Sequence, residues 1–209
     1  MIANDNAQAT DAVHAGAQAT ASHEPTDYTT ITSWNVFDEW LARITQAQLT
    51  AVDTETTALD AMQARLVGIS LCVSPGQAAY IPLAHNGADT PQQLPLDEVL
   101  RKLRPWLEDA SKPKLGQHIK YDSHVFANYG IAVQGYVHDT LLQSYVLEAH
   151  KPHGLESLAQ RYLGRVGISY ETLCGKGASQ IPFSQVGVDQ ATTYACEDVD
   201  FCLQVHRIL

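Results

Sequence analysis

One stretch of sequence, residues 49–83, decides the fold. It reads LTAVDTE at 49–55, RLVGISLCV at 65–73 and AAYIPL at 78–83. Short apolar runs of this kind are typical of buried strands, and residues 74–77 (SPGQ) have the proline and glycine of a tight turn. The three runs therefore predict a three-strand meander. Because proline cannot donate to a sheet ladder, Pro82 predicts that the third strand lies at an edge.

Helical patterns surround this meander. Residues 34–48 carry apolar side chains at helical spacing, and Ser33 precedes them as a candidate N-cap. A further short strand is expected at 114–118, and further helices at 96–109, 121–129, 139–148, 155–163 and from 189 to the C-terminus. Gly130 ends one of these helices in the usual manner of a glycine C-cap. A meander followed by alternating helices and short strands predicts an α/β fold with a mixed central sheet and helices on both faces.

The N-terminal segment differs from the rest of the chain. Residues 1–27 are rich in Ala, Thr, Gln, His and Asp and nearly free of large apolar groups. Such a composition predicts a disordered tail or interdomain linker, with the folded domain at 28–209. The segment has no pattern of a secretory signal. No apolar run approaches the ~18 residues that would span a membrane.

Charge and cysteine content narrow the function classes. The formal net charge is −10, which argues against broad duplex binding through many basic contacts to phosphate. A nucleic-acid enzyme whose positive charge arrives as bound metal stays compatible with it. The cysteines form no C-x-x-C pair, so no zinc ribbon or thioredoxin-like site is predicted, and free thiols in a reducing cytoplasm are expected. They are Cys72, Cys174, Cys196 and Cys202.

Two acidic residues alternate on the first strand of the meander. Asp53 and Glu55 project from the same face, about 7 Å apart along the chain. Two such carboxylates repel each other and raise a pKa unless a cation lies between them. Oxygen ligands of this type are those that magnesium prefers. A solvated acidic loop accounts for this short motif equally well.

Two further acidic segments lie on predicted helices. Tyr194 and Asp198 are four residues apart, so they share one helix face. An amphipathic helix with an ordinary acidic face explains that segment, taken alone, more simply. Asp122 stands near a helix start, where a carboxylate is usually a favourable partner for the helix N-terminus. Each segment has an ordinary structural explanation on its own.

Together the three segments match a known arrangement in residue type, order and local structure. The chain resembles the proofreading 3′→5′ exonuclease domain of bacterial DNA polymerase I. That domain belongs to the DEDD superfamily and has a ribonuclease H-like fold. The resemblance covers about residues 28–209. It includes stretches without catalytic residues, at 79–85 (AYIPLAH), 128–130 (NYG), 139–140 (DT), 155–159 (LESLA) and 175–177 (GKG).

The resemblance implies a metal site. In the family four acidic residues hold two divalent metal ions, with magnesium in first place and manganese as the alternative. The matching positions are Asp53, Glu55, Asp122 and Asp198. Asp53 is expected to bridge both ions, Glu55 and Asp198 to complete one site, and Asp122 to support the other.

The resemblance also assigns a tyrosine. Tyr194 corresponds to the residue that positions the attacking water. It lies four residues before the last aspartate, as in the tyrosine branch of the superfamily. The histidine branch has its histidine five residues before that aspartate, where this chain has Thr193. The tyrosine branch is therefore indicated.

Four positions are candidate substrate contacts. Leu59 matches an apolar residue that wedges against the terminal base, with a core leucine as the alternative. Tyr170 matches an aromatic residue that stacks on a base, as single strands are commonly held. Arg161 approaches a phosphate or is a plain helix-surface arginine. His118 departs from the family, in which many members have asparagine there.

The expected function follows from this resemblance. The chain is expected to hydrolyse single-stranded or frayed DNA 3′ ends to nucleoside monophosphates, as the proofreading segment of a family A polymerase in the bacterial cytoplasm, near the nucleoid. A polymerase domain of the parent chain is the expected partner. One alternative is a ribonuclease D-like exoribonuclease, which differs by its contact with the 2′-hydroxyl. The other is a catalytically silent DNA-binding module, against which the presence of all four acids and the tyrosine argues.

Overall fold

A six-stranded mixed sheet forms the centre of the protein. The computed structural model describes residues 26–209. The strands are β1 (Asp27–Thr30), β2 (Thr50–Thr56), β3 (Leu66–Ser74), β4 (Gln77–Pro82), β5 (Lys114–Gly116) and β6 (Tyr136–Asp139). Their order across the sheet is β1-β4-β3-β2-β5-β6. The pairs within β2, β3 and β4 are antiparallel, and the outer pairs are parallel. The predicted mixed sheet is confirmed.

Seven α-helices accompany the sheet in the described residues. They are α1 (Trp34–Gln46), α2 (Leu96–Leu107), α3 (Ile119–Ala127), α4 (Thr140–Glu148), α5 (Leu155–Leu158), α6 (Tyr170–Cys174) and α7 (Val188–His206). The predicted helices are present, although α3 begins earlier than predicted and α5 continues as a π-helical turn, Ala159–Leu163. The sequence did not predict β1, β6 or α6. Each spans only four or five residues, too few to establish a periodicity.

Two hydrophobic cores lie on opposite faces of the sheet. Along β3, Leu71 belongs to the core that α1 and α2 cover, whereas the next residue, Cys72, belongs to the core that α7 covers. This alternation follows from the two-residue period of a strand. Helices therefore lie on both faces, as predicted.

The edge position predicted for the strand that contains Pro82 is wrong. β4 lies between β1 and β3. The proline is tolerated because β1 pairs with β4 only as far as Tyr80. The ladder ends with the Ile31 N–H donating to the Tyr80 carbonyl at 2.8 Å. Pro82 lies beyond that point, so its missing N–H leaves no ladder bond of β1 unmade.

The N-terminal predictions have mixed outcomes. The predicted tail, residues 1–27, lies outside the described residues except for 26 and 27. Ser33 occupies the N-cap position of α1 as predicted, but its side chain makes no capping hydrogen bond.

In the part of the chain that the structure describes, no helix is both long and apolar enough to cross a membrane. All four cysteines are buried free thiols.

A buried carboxylate on α7 binds both β1 and the β3–β4 turn. Asp200 accepts hydrogen bonds from the Tyr28 hydroxyl at 2.9 Å, the Gly76 N–H at 2.9 Å and the Gln204 amide at 2.8 Å. Arg165 adds an ion pair at 3.7 Å. Gly76 has a φ of 74°, a conformation that favours glycine. Asp200 thus fixes α7 against β1 and the β3–β4 turn.

Replacing this carboxylate is expected to destabilise the protein. Asp200→Ala leaves the hydroxyl of half-buried Tyr28 and the buried Gly76 N–H without an acceptor, so the free energy of unfolding should fall by about 3 kcal/mol. Urea unfolding followed by circular dichroism measures the change. Asp89→Ala, in which an exposed loop carboxylate is removed, is the matched control and should stay within about 0.5 kcal/mol of wild type. Equal unfolding midpoints for the two variants would contradict this role.

Candidate active site

Four carboxylates from three elements converge where α7 crosses β2. Asp53 and Glu55 project from β2 toward the face that α7 covers, and Asp198 lies on α7. Glu55 is buried. Burial is the largest cause that raises its pKa, followed by the negative charges of Asp53, Asp198 and Asp122. The negative charges of the other three carboxylates therefore all act on Glu55.

Asp122 reaches this group from α3. β5 pairs with β2 only at Thr50 and Ala51, so the following part of β2 is free to contact the start of α3. The Thr54 N–H and hydroxyl both donate to Asp122 Oδ1, at 3.1 and 2.6 Å. Burial raises the pKa of Asp122, and the charge of Asp53 raises it further. Thr54 was not predicted as a site residue, although it stands between Asp53 and Glu55.

No basic side chain in the described residues balances these charges. Among residues 26–209, none of the ion pairs formed by Lys or Arg involves any of the four carboxylates. Burial raises the pKa of Asp53 and of Asp198 as well, so ionising the whole group is costly. A divalent cation would lower that cost, and carboxylate oxygens are the ligands that hard cations prefer. The donor chemistry therefore fits divalent metal ions.

The carboxylates do not form a preformed ion cage. In the described part of the chain, no three His, Cys, Asp or Glu side chains already surround a point where a metal ion would fit.

Tyr194 lies among the same carboxylates. Its pKa is raised by burial first, and then by the negative charges of Asp198, Glu55 and Asp53. The hydroxyl is therefore protonated at neutral pH and acts as a hydrogen-bond donor. Thr193, at the position that is histidine in the other branch, points away, with its hydroxyl bonded to the Asp189 carbonyl at 3.0 Å.

Leu59 lies exposed to solvent on the connection between β2 and β3. Its side chain is 98% exposed, so it is not a core leucine. The Tyr121 hydroxyl donates to the carbonyl of the preceding residue, Ala58. This bond ties the loop to α3, beside Asp122. Leu59 is therefore an apolar side chain presented at the rim of the carboxylate group.

Tyr170 and Arg161 have different surroundings. Tyr170 is 41% exposed at the start of α6. Burial is the largest cause that raises its pKa to about 12, and the negative charge of Glu55 is a smaller one. Arg161 instead forms an ion pair with Glu148, Nε to Oε2, at 3.2 Å. Its Nη1 donates to the Pro152 carbonyl at 3.2 Å.

His118 has an unusual backbone conformation. With a φ of 65°, it is the sole residue other than glycine with positive φ in the described residues. Histidine and asparagine both tolerate this left-handed conformation better than most residues. The His118 N–H donates to Asp139 Oδ1 at 3.1 Å, and its ring stacks on Tyr121 with 6.5 Å between centroids. A role for Asp139 at this point was not predicted from the sequence.

Sequence comparison identifies the family. Residues 28–209 match the family described as 3′-5′ exonuclease. DNA polymerase I of Pseudomonas aeruginosa is 45% identical over 205 residues, which cover 97% of this chain and 22% of that protein. DNA polymerase I of Rhizobium leguminosarum is 38% identical over 213 residues, covering 93% of this chain and 21% of that protein. The chain belongs to the 3′-5′ exonuclease family. It spans about a fifth of the length of these curated relatives.

Structural comparison supports the same fold class. The crystal structure of Trypanosoma brucei RNase D complexed with RNA U12 superimposes with a TM-score of 0.67, at 13% identity, over 87% of this chain and 62% of that one. At this identity the likeness concerns the fold alone. The predicted ribonuclease H-like α/β fold is confirmed. Enzymes of this exonuclease family depend on divalent metal ions.

The Thr54 hydroxyl is expected to support metal binding through Asp122. Thr54→Val keeps the side-chain shape but removes one of the two donors to Asp122 Oδ1, so the carboxylate is held less firmly. We expect about tenfold weaker Mn²⁺ binding, measured by titration calorimetry. Thr54→Ser keeps the hydroxyl and should bind Mn²⁺ like wild type. Unchanged affinity in Thr54→Val would refute this supporting role.

Proposed function

We propose that the chain removes nucleotides one at a time from DNA 3′ ends, and that it is the proofreading segment of a bacterial family A DNA polymerase. The observation that carries this proposal is the group of four uncompensated carboxylates around buried Glu55, with Tyr194 among them. The sequence relatives named above are DNA polymerases I. The polymerase portion of such a parent chain is the proposed partner.

We infer two divalent ions per chain, magnesium in first place and manganese as the alternative. Asp53, Glu55, Asp122 and Asp198 carry four negative charges when ionised, which two divalent ions would balance. Asp53 would hold both ions, Glu55 and Asp198 would complete one site, and Asp122 would support the other. When bound, such ions lower the pKa of a coordinated water and offset negative charge on the phosphate.

The proposed role of Tyr194 is to position the attacking water. Its hydroxyl stays protonated because burial and three neighbouring carboxylates disfavour its ionised form. It therefore donates a hydrogen bond rather than accepting the proton of the nucleophile. Holding the water in line with the scissile bond lowers the barrier by restricting its orientation.

Four side chains are proposed to hold the DNA end. Leu59 wedges against the terminal base, and Tyr170 stacks on a base. His118 hydrogen-bonds the nucleotide in place of the family's asparagine. Arg161 contacts a phosphate.

Charge favours a single strand over a duplex in this site. The chain has 23 Asp and Glu residues but only 13 Lys and Arg residues. Affinity for duplex DNA depends mainly on neutralising many phosphates. A site that depends on bound cations and on stacking suits an end that is already unpaired.

Frayed DNA ends are expected to be the better substrate. With magnesium, 5′-labelled DNA should shorten in single-nucleotide steps, and a duplex with a mismatched 3′ end should be cut faster than a fully paired one. The reason is that a paired end must melt before it can enter the site. Gel analysis of a time course measures both rates.

Two controls accompany this assay. Omission of magnesium should stop the ladder, and an RNA oligomer of the same sequence should be degraded more slowly than DNA. Faster degradation of RNA would favour a ribonuclease D-like function. Indifference to the mismatch would argue against proofreading.

Asp198 and Tyr194 are expected to differ in importance. Asp198→Ala should abolish measurable cleavage because it removes a proposed metal ligand. Tyr194→Phe should slow cleavage roughly tenfold to a hundredfold, since it removes only a positioning contact. Single-turnover kinetics on single-stranded DNA give both values. The control is Asp189→Asn, an exposed change at the start of the same helix. Equal losses of activity in Asp198→Ala and Tyr194→Phe would mean that Tyr194 does more than position water.

A further inference from the structure

Asp139 caps the helix that it precedes. It is the last residue of β6, it is buried, and it occupies the N-cap position of α4. Its Oδ1 accepts from the N–H groups of Leu141 at 2.9 Å and Leu142 at 3.4 Å. These bonds satisfy donors that a helix start leaves without partners. These two bonds alone would make Asp139 an ordinary capping residue.

The same carboxylate also reaches a second helix. Oδ1 accepts from the His118 N–H at 3.1 Å, and Oδ2 accepts from the Ile119 N–H at 3.0 Å. Four backbone donors from the starts of α3 and α4 thus meet on one side chain. Capping of α4 requires only the first pair of these bonds, so the bonds to α3 need another explanation.

The start of α3 lacks a cap of its own. His118 holds the N-cap position there, but its side chain makes no capping hydrogen bond and its backbone is left-handed, with φ 65° and ψ 47°. A residue with a Cβ disfavours that conformation. It persists where surrounding contacts hold it. The two bonds from Asp139 are such contacts.

The start of α3 also determines where Asp122 lies. Asp122 is in the first turn of α3, where it accepts both hydrogen bonds from Thr54 on β2. A shift of that turn would move this carboxylate relative to Asp53 and Glu55. It would also move His118, which lies immediately before the helix.

We propose that Asp139 is a positioning residue of the exonuclease site. By binding the N–H groups of His118 and Ile119, it holds the left-handed start of α3, and so sets the positions of Asp122 and the His118 ring. Asp139 touches neither substrate nor metal in this role and acts through the backbone of α3. The inference rests on the proposed function for its catalytic consequence, whereas its structural part stands on the hydrogen bonds alone.

A serine substitution separates the two tasks of Asp139. Serine is as good an N-cap as aspartate, so Asp139→Ser keeps the cap on α4. Its single oxygen cannot replace Oδ2, so the hydrogen bond from the Ile119 N–H is lost and the hold on the start of α3 is weakened. Adding His118→Asn tests the left-handed conformation itself, because asparagine adopts it readily. The set comprises wild type, Asp139→Ser and the double variant.

Hydrogen exchange of the metal-free chain gives a readout independent of activity. In Asp139→Ser, amides at 118–122 should exchange about tenfold faster, while amides at 141–147 keep their wild-type rates. The double variant should recover part of the protection at 118–122. Equal loss of protection in both helices would overturn the proposal, since Asp139 would then be only a cap. Wild-type protection at 118–122 in Asp139→Ser would overturn it too.

Kinetics test the catalytic consequence. On single-stranded DNA, kcat of Asp139→Ser should fall roughly tenfold to a hundredfold, with a rise in the magnesium concentration needed for half-maximal rate. A kcat equal to that of wild type, despite faster exchange at 118–122, would overturn the positioning role. If wild type itself releases no nucleotide, the proposed function fails and the catalytic role of Asp139 fails with it, while the exchange data still decide whether the carboxylate holds α3.

Discussion

Electrostatic repulsion within a group of four carboxylates, of which Glu55 and Asp122 are buried and Asp53 and Asp198 half-buried, is the constraint on which the structure depends. Glu55 is buried beside Asp53, Asp122 and Asp198, and burial and mutual charge raise the pKa of Glu55. Burying like charges together costs free energy unless cations or hydrogen bonds offset it. The remainder of the fold must therefore hold these side chains near one another against their repulsion.

Three anchored elements meet that requirement. β2 is a central strand of the sheet, with both cores on its faces. α7 is fixed by the buried Asp200, which binds β1 and the β3–β4 turn. α3 is held from one side by Thr54 and from the other by Asp139. Because β2, α3 and α7 are each held in place, the acids converge although they are scattered along the chain.

Part of this arrangement could be predicted from sequence. Apolar runs and helical spacing predicted the meander and α7, and the i, i+4 spacing placed Tyr194 beside Asp198. Convergence of the four acids required the family resemblance, since no local pattern relates Asp122 to Glu55. The edge prediction from Pro82 failed because it depends on how far the unpredicted β1 extends. Thr54 and Asp139 were missed as site residues because their hydrogen bonds join segments far apart in the chain.

The most direct test of the account is the number of divalent ions that the carboxylate group binds. Titration calorimetry of the chain with Mn²⁺, in the presence of a nucleoside monophosphate, measures this stoichiometry. We expect two ions per chain for wild type, and loss of both with Asp53→Asn, because Asp53 is proposed to hold both ions. No heat of binding for wild type, or an unchanged stoichiometry in the variant, would contradict a metal site at Asp53, Glu55, Asp122 and Asp198.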